Sequence, residues 1–271
     1  MAGCALFAYN TSRENKIYAP MLSASSENTA DNKGVSFLAF DDPRVVWEST
    51  GTGLQYVLID FGVSRKADCV YIGNIPVGTT ALTLKAGSTS ATTDNSQAIT
   101  IYQNDGFEFL TAGGPAPWFY RYYRVEITNG GVSSIGNISL FQNLSSRELF
   151  DGDPAKKILY GIGPSPRVEV RKYGSFSTNG LTGQEYQVVG GVRLIETNTL
   201  VEMDADQRNL LDEISLSDNV VFVPDATAIT PIYGVVSFDA TQIPGQAVGA
   251  ERWSGNYDFT SLSISPVEGK L

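Results

Sequence analysis

Histidine is absent from this sequence of 271 residues. With it go the commonest general base, the usual Ser-His-Asp arrangements and most zinc sites. Carboxylate-pair and Ser-Lys chemistry survive in principle, but neither has a recognisable motif, so the expectation is a non-enzymatic protein with no cofactor and no metal. Cysteine is scarce. Cys4 and Cys69 are the only two, and they lack the C-x-x-C spacing of a redox or metal site. A disulfide between them and a pair of buried thiols both remain open. Basic residues are outnumbered, 19 against 29 acidic, giving a formal charge of −10 with no run of Lys or Arg. Tight nucleic-acid binding, which depends on neutralising phosphates, is excluded. The acidic balance fits a neutral-ligand binder, a soluble assembly subunit or the wall of a channel through which DNA slides. No apolar run reaches the roughly 20 residues of a membrane span. Met1–Ala8 has no basic start and too short an apolar run for a signal peptide, so synthesis in the cytoplasm is expected.

What is present favours strands. Hydrophobic residues make up 42% and charged residues 18%, an ordinary globular balance. The 27 Gly, 13 Tyr and 13 Phe suit short strands joined by tight turns. In the first half, strands are expected at Gln55–Phe61, Cys69–Ile72, Ala81–Lys85, Ile99–Tyr102, Tyr122–Ile127 and Ile138–Phe141. Their even spacing is that of a two-sheet sandwich. Gly87–Gln97 and Gly113–Pro117 read as surface loops. Around Asn143–Pro154 the β-branched residues thin out and a turn signal follows, which places a linker at 144–157 between domains 1–143 and 158–271. The second block carries expected strands at Arg167–Lys172, Glu185–Val189, Val192–Glu196, Asn219–Val223, Tyr233–Phe238 and Trp253–Ile264. Between them Met203, Gln207, Leu210, Leu211 and Ile214 recur at helical spacing, with acids in the first turns, so one helix is expected at about 202–214.

The first half also contains an ordered succession: Ala24-Ser25-Ser26, Phe40-Asp41, Trp47-Glu48-Ser49, Gln55 to Gly62, Phe119 to Ile127, and Ile135 to Leu140. This resembles the discoidin, or galactose-binding-like, family. There an A-S-S start, an aromatic-Asp turn, a W-x-S segment and a Q-aromatic-hydrophobic-D strand precede a late R-Y-hydrophobic-R strand. The resemblance implies a jelly-roll β-sandwich. Trp47 and Tyr56 are expected to anchor its core, and Gly62 to permit a strand-ending turn. Arg121 and Arg124, an odd number of residues apart, are expected on opposite faces, one pairing with an acid such as Asp60.

Family members bind glycans or lipid head groups through loops at one end of the sandwich, and some hold calcium near the turn that here contains Asp41 and Asp42. The resemblance therefore implies Asp41, Asp42 and Arg44 as candidate ligand contacts. For Asp41 and Asp42 a turn, a calcium site and a ligand contact all stay open. Trp118 to Tyr123 groups five aromatics around Arg121, which makes Trp118 and Arg121 candidates for stacking on a sugar ring. Core packing is the alternative.

The second block is similar in layout to the ring-forming domains of bacteriophage tail-tube, tail-tip and distal-tail proteins, a β-sandwich or split barrel with one helix. That layout implies a virion tail or baseplate component. It would self-associate into a ring, contact other tail and baseplate proteins, and carry a decorating domain for host surface glycans. A free lectin-like carbohydrate-binding protein is the alternative.

Overall fold

In the computed structural model the described residues are 6–10, 13–40, 45–111, 117–144, 167–178, 185–223, 231–244 and 251–261. They form two compact units, one of them Ala8–Leu144. Cys4, Asp41, Asp42, Arg44, most of the expected linker and most of the expected Gly113–Pro117 loop lie outside the described residues.

The first unit holds Ala8 and Tyr9 of β1 (Leu6–Tyr9), followed by β2 (Leu22–Ala24), β3 (Trp47–Ala67), β4 (Cys69–Gly73) and β5 (Ala81–Gly87). It continues through β6 (Asn95–Ala98), β7 (Thr100–Tyr102), β8 (Asp105–Phe109), β9 (Trp118–Ile135), β10 (Asn137–Phe141) and β11 (Asn143–Leu144). Two sheets, β2-β3-β9-β5-β6 and β10-β4-β8-β7, face each other. Between them lie Val57 and Ile59 from β3, Val70 and Ile72 from β4, Leu82 and Leu84 from β5, Val125 and Ile127 from β9, and Ile138 and Leu140 from β10, all buried. The expected β-sandwich is the observed fold. It is antiparallel throughout, so alternate residues of each strand point to the core and the others to the outer face.

The motifs that carried the family resemblance are architectural. Trp47 is fully buried and its indole Nε1–H donates to the Ser26 carbonyl at 3.0 Å. The Ser25 and Ser26 hydroxyls donate to Gln55 Oε1 at 2.7 and 2.9 Å, and the Tyr56 amide donates to Ser25 Oγ. Ser49 Oγ donates to the Gly51 carbonyl and accepts from the buried Ser133 amide. The A-S-S, W-x-S and Q-Y segments thus fasten the chain entering β3 to the start of that strand. Across the sandwich, Asn15 is 3% exposed and its Nδ2 donates to the carbonyls of Lys66 and Leu140, tying one residue of β3 to one of β10.

Several expectations are corrected. Tyr56 is not a core anchor: it falls between Leu54 and Leu58 on the outward set, while Val57 and Ile59 turn inward. Gly62 does not end its strand. It sits at φ +75° inside β3, which runs on to Ala67. Asn95–Ala98, placed in a surface loop, is an edge strand paired with β5. It is polar because Gln97 bridges the two sheets: its Nε2 donates to the Phe109 carbonyl and its Oε1 accepts from the Thr111 amide. Strand β8 was hidden by Asp105-Gly106, a turn-like dipeptide; the turn itself is at Gln103-Asn104, with Gln103 at φ +55°. Of the two states left open for the cysteines, Cys69 has that of a free, fully buried thiol, and burial pushes its pKa well up.

The second unit contains β12 (Arg167–Thr178), β13 (Glu185–Met203), α1 (Ala205–Ser215), β14 (Val220–Val223), β15 (Ile232–Gln242) and β16 (Trp253–Ser261). Its sheet runs β14-β15-β16-β13-β12. Glu185–Val189 and Val192–Glu196, expected as two strands, are one: the register against β12 shifts at Tyr173/Gly174, so Gly190 is accommodated as a bulge. The helix begins at Ala205 because Glu202 and Met203 are drawn into β13, and the Asp204 carbonyl takes the first helical bond from Arg208. Leu211 and Ile214 are buried as the helical periodicity requires, and Met203 is buried as the last residue of β13. Phe222 and Phe259 are buried as well, their rings tilted against each other at 5.0 Å between centroids.

Gly106 shows how closely the sheets of the first unit approach. A Cβ there would collide with Leu82 Cδ2 and lie 3.1 Å from Ile99 Cγ2. Gly106→Ala is therefore expected to lower unfolding stability by about 1–3 kcal/mol, the usual cost of overpacking. A chemical-denaturation midpoint equal to that of the wild type would contradict this packing.

Candidate functional site

Strands β3 and β9 pair along almost their whole length, but the pairing is interrupted. Asp60 stands opposite Tyr122 and Arg65 opposite Tyr120, so Phe61, Gly62, Val63 and Ser64 stand opposite Arg121 alone. Strand β9 is irregular at the same place. Trp118, Tyr123, Val125 and Ile127 are buried and Tyr120 packs against the same core. Tyr120 and Tyr123 both point inward although three residues apart, so Arg121 and Tyr122 together occupy the turn of one outward residue.

This double irregularity builds a polar and aromatic cluster on the outer face of the five-stranded sheet. Arg121 donates to Asp60 through Nε at 2.7 Å and Nη2 at 2.8 Å, a bidentate pair. Its guanidinium lies over the Tyr122 ring, 4.8 Å from the centroid. The Gly62 amide donates to Asp60 Oδ1 at 2.8 Å, which the positive φ of Gly62 permits. The Arg121 bonds, with the Gly62 and Tyr122 contributions behind them, hold the Asp60 pKa below the usual range against a modest desolvation effect. Asp60 thereby accepts three hydrogen bonds, two at Oδ1 and one at Oδ2. Arg121 uses two of its five N–H donors on it. Phe119, next along the strand, is 65% exposed, and Val63 of the bulge is 55% exposed. Opposite Phe119, Lys66 pairs with Asp68 at 3.3 Å.

The sequence candidates divide accordingly. Trp118 is 2% exposed and packs edge-on to Tyr120 at 6.5 Å, so it is a core residue with no face for a ligand. Arg121 is in the cluster, its side chain 41% exposed. Asp41, Asp42 and Arg44 lie outside the described residues. The expectation that Arg121 and Arg124 point to opposite faces is corrected, because the bulge in β9 shifts the alternation between them. Both reach the outer face, where Arg124 pairs with Glu126 and covers the Tyr56 ring at 5.2 Å. Phe119 and Tyr122 are the contacts that strand periodicity alone misses. The sign in the sequence is a run of six large residues too dense for strict alternation. Among the described residues no group of three or more Cys, Asp or Glu side chains is placed to hold a metal ion.

No family profile matches the sequence, and no curated protein matches it. Solved structures do resemble about half of the chain. A fucose-binding module from Streptococcus pneumoniae is 13% identical, with 48% of this chain and 95% of that one covered at a TM-score of 0.39. Chitosan-binding module 1 of a Paenibacillus chitosanase/glucanase is 19% identical, with 47% and 98% covered and a TM-score of 0.38. The lectin domain of lectinolysin is 15% identical, with 49% and 99% covered and a TM-score of 0.40. The ligands in those names belong to those proteins.

The lowered pKa of Asp60 has a sign. A carboxyl group whose folded pKa is below its unfolded value of about 3.9 stabilises the fold above that pH, and the contribution disappears as pH falls through the folded value. Asp60→Asn is expected to lower the urea midpoint at neutral pH and to flatten the loss of stability below about pH 4 relative to wild type. Parallel pH profiles for the two proteins would contradict the assignment.

Proposed function

We propose that Ala8–Leu144 is a non-catalytic saccharide-recognition unit that binds on the outer face of its five-stranded sheet, at the start of β9. The observation that carries this reading is the Arg121 guanidinium, fixed in a bidentate pair with Asp60 and flanked by the exposed Phe119 ring and by Tyr122. A sugar ring has an apolar face for an aromatic side chain and hydroxyl oxygens at its edge for N–H donors. Holding the donor beforehand lowers the ordering cost of binding. The ordered family-like motifs from Ala24 to Leu140 and the lack of histidine support a binding role over a catalytic one. In a glycan array followed by calorimetry on the best hit, Phe119→Ala is expected to weaken binding by about 2- to 10-fold, the range of one aromatic contact. Arg121→Ala should weaken it roughly tenfold or more, as for a charge-assisted hydrogen bond. Unchanged affinity in both variants would refute the site.

A second reading concerns the other unit, for which we infer an assembly role in a virion tail tip or baseplate. There it would build a ring, meet neighbouring tail proteins and present the sandwich as a repeated attachment to host surface glycans. The observation in favour is strand β12, 12 residues long and at the end of its sheet, whose outer edge has no partner among the described residues. Such an edge can accept a strand from another chain. Weak individual sites would then gain avidity from multiplicity. Light scattering of the whole protein separates the readings: a closed oligomer is expected for the ring, and a monomer at micromolar concentration would favour a free lectin-like protein.

A further inference from the structure

The outer face of the five-stranded sheet continues past Tyr122. Two residues further along β9, about 6.6 Å at the rise of a strand, Arg124 stands directly opposite Lys85 of β5. Both are bound to one carboxylate. Lys85 Nζ donates to Glu126 Oε2 at 2.9 Å, and Arg124 Nη2 donates to Glu126 Oε1. Glu126 is nearly closed off, its side chain 11% exposed, whereas Lys85 keeps 31% and Arg124 21%. Two cations thus share one anion, and Lys85 spends only one of its three donors on it.

Charge along this face is consequently unlike that of the chain. Asp60 and Arg121 neutralise each other, and Lys66 is matched by Asp68. Lys85 and Arg124 leave one positive charge over after Glu126, in a protein whose formal charge is −10. An anionic group seated between Lys85 and Arg124 would balance it, beside the Tyr56 ring that Arg124 covers. The spacing to Tyr122 lets one ligand reach both places.

We propose that this Lys85–Arg124 pair is a second subsite that takes the carboxylate of an acidic sugar, so that the ligand class of the outer face is a uronate-containing oligosaccharide. The inference rests on the saccharide-binding reading of the Phe119–Arg121–Tyr122 cluster and adds to it a preference for charge. Carboxylate recognition by two cations that are already partly desolvated is stronger than at a free surface lysine, and it weakens with salt.

The test uses the full chain and two probes: a tetramer of galacturonic acid, and the same tetramer with every carboxylate methyl-esterified. Calorimetry at about 10 mM salt, where the Debye length is about 30 Å, should give roughly tenfold tighter binding of the acid. That difference should largely vanish at about 1 M salt. Lys85→Gln should remove most of the preference by weakening the acid far more than the ester, and Lys85→Arg should restore it. Thermal melting of each variant separates loss of the subsite from loss of the fold. Equal binding of acid and ester, with Arg121→Ala abolishing both, would overturn the subsite and leave the saccharide reading standing. If neither tetramer binds and no neutral glycan does, both fall.

Discussion

The pairing of β3 with β9 is the constraint on which the first unit depends. The two strands supply the centre of the five-stranded sheet. Their inward residues, Val57, Ile59, Tyr123, Val125 and Ile127, are buried to 0% exposure. Everything else attaches to this pair. Strand β2 and the 3₁₀ segments before β3 lie along one side, β5 and β6 along the other, and the second sheet covers the inner face. A twisted pair this long cannot remain regular, and the irregularities fall at two places. One is the glycine-bearing stretch where Thr52 meets Val132 and Gly53 meets Asn129; the other is the Phe61–Ser64 bulge. At the first, serine and asparagine side chains satisfy the freed backbone groups, as where Ser49 Oγ accepts from the Ser133 amide. At the second, the Asp60 carboxylate accepts from the Gly62 amide while paired with Arg121.

The two places differ in what they leave unsatisfied. The serine and glutamine motif at the start of β3 is satisfied within itself: Ser25, Ser26 and Gln55 bond one another, and Trp47 bonds the Ser26 carbonyl. The Asp60–Arg121 bulge is satisfied on the carboxylate side only. Its cation keeps donors facing solvent beside an exposed phenylalanine, and an unfilled donor next to an apolar surface is the usual beginning of a recognition site. Strain and charge at the bulge are therefore linked. The extra residues that disturb the ladder are the ones that bring Arg121 and Tyr122 side by side on the outside.

The electrostatics of the outer face fit a protein that is acidic elsewhere. Glu126, placed between Lys85 and Arg124, orders both cations without cancelling them. Tyr56 supports the Arg124 guanidinium from below. Ordered cations lose less side-chain freedom on meeting a ligand than free surface lysines do. In the second unit the analogous ordering is Arg208, paired with Asp212 one turn on at 2.9 Å and lying near the Trp253 ring.

Much of the fold was legible because strand signals are local. Cys69–Ile72, Ala81–Lys85 and Ile138–Phe141 alternate or run apolar over whole strands, and the structure places strands over them. The helix was legible from Leu211 and Ile214 for the same reason, although Met203, read with them, ends strand β13. What escaped were features that depend on a neighbour. Asn95–Ala98 is a strand because β5 offers an edge and Gln97 finds backbone groups on the opposite sheet. Asp105-Gly106 is strand rather than turn because β4 and β7 pair on either side of it, Gly106 standing opposite Ile72 and Ile101. Tyr56 lies outside because Val57 and Ile59 fill the core. The sequence by itself determined the absence of histidine chemistry, the acidic charge, the β-rich composition and the order of the motifs. Which of those residues face outward together was decided by the tertiary structure. Periodicity fixes a side chain's direction only while the ladder is regular, and the β3–β9 bulges break it at the residues that form the candidate site.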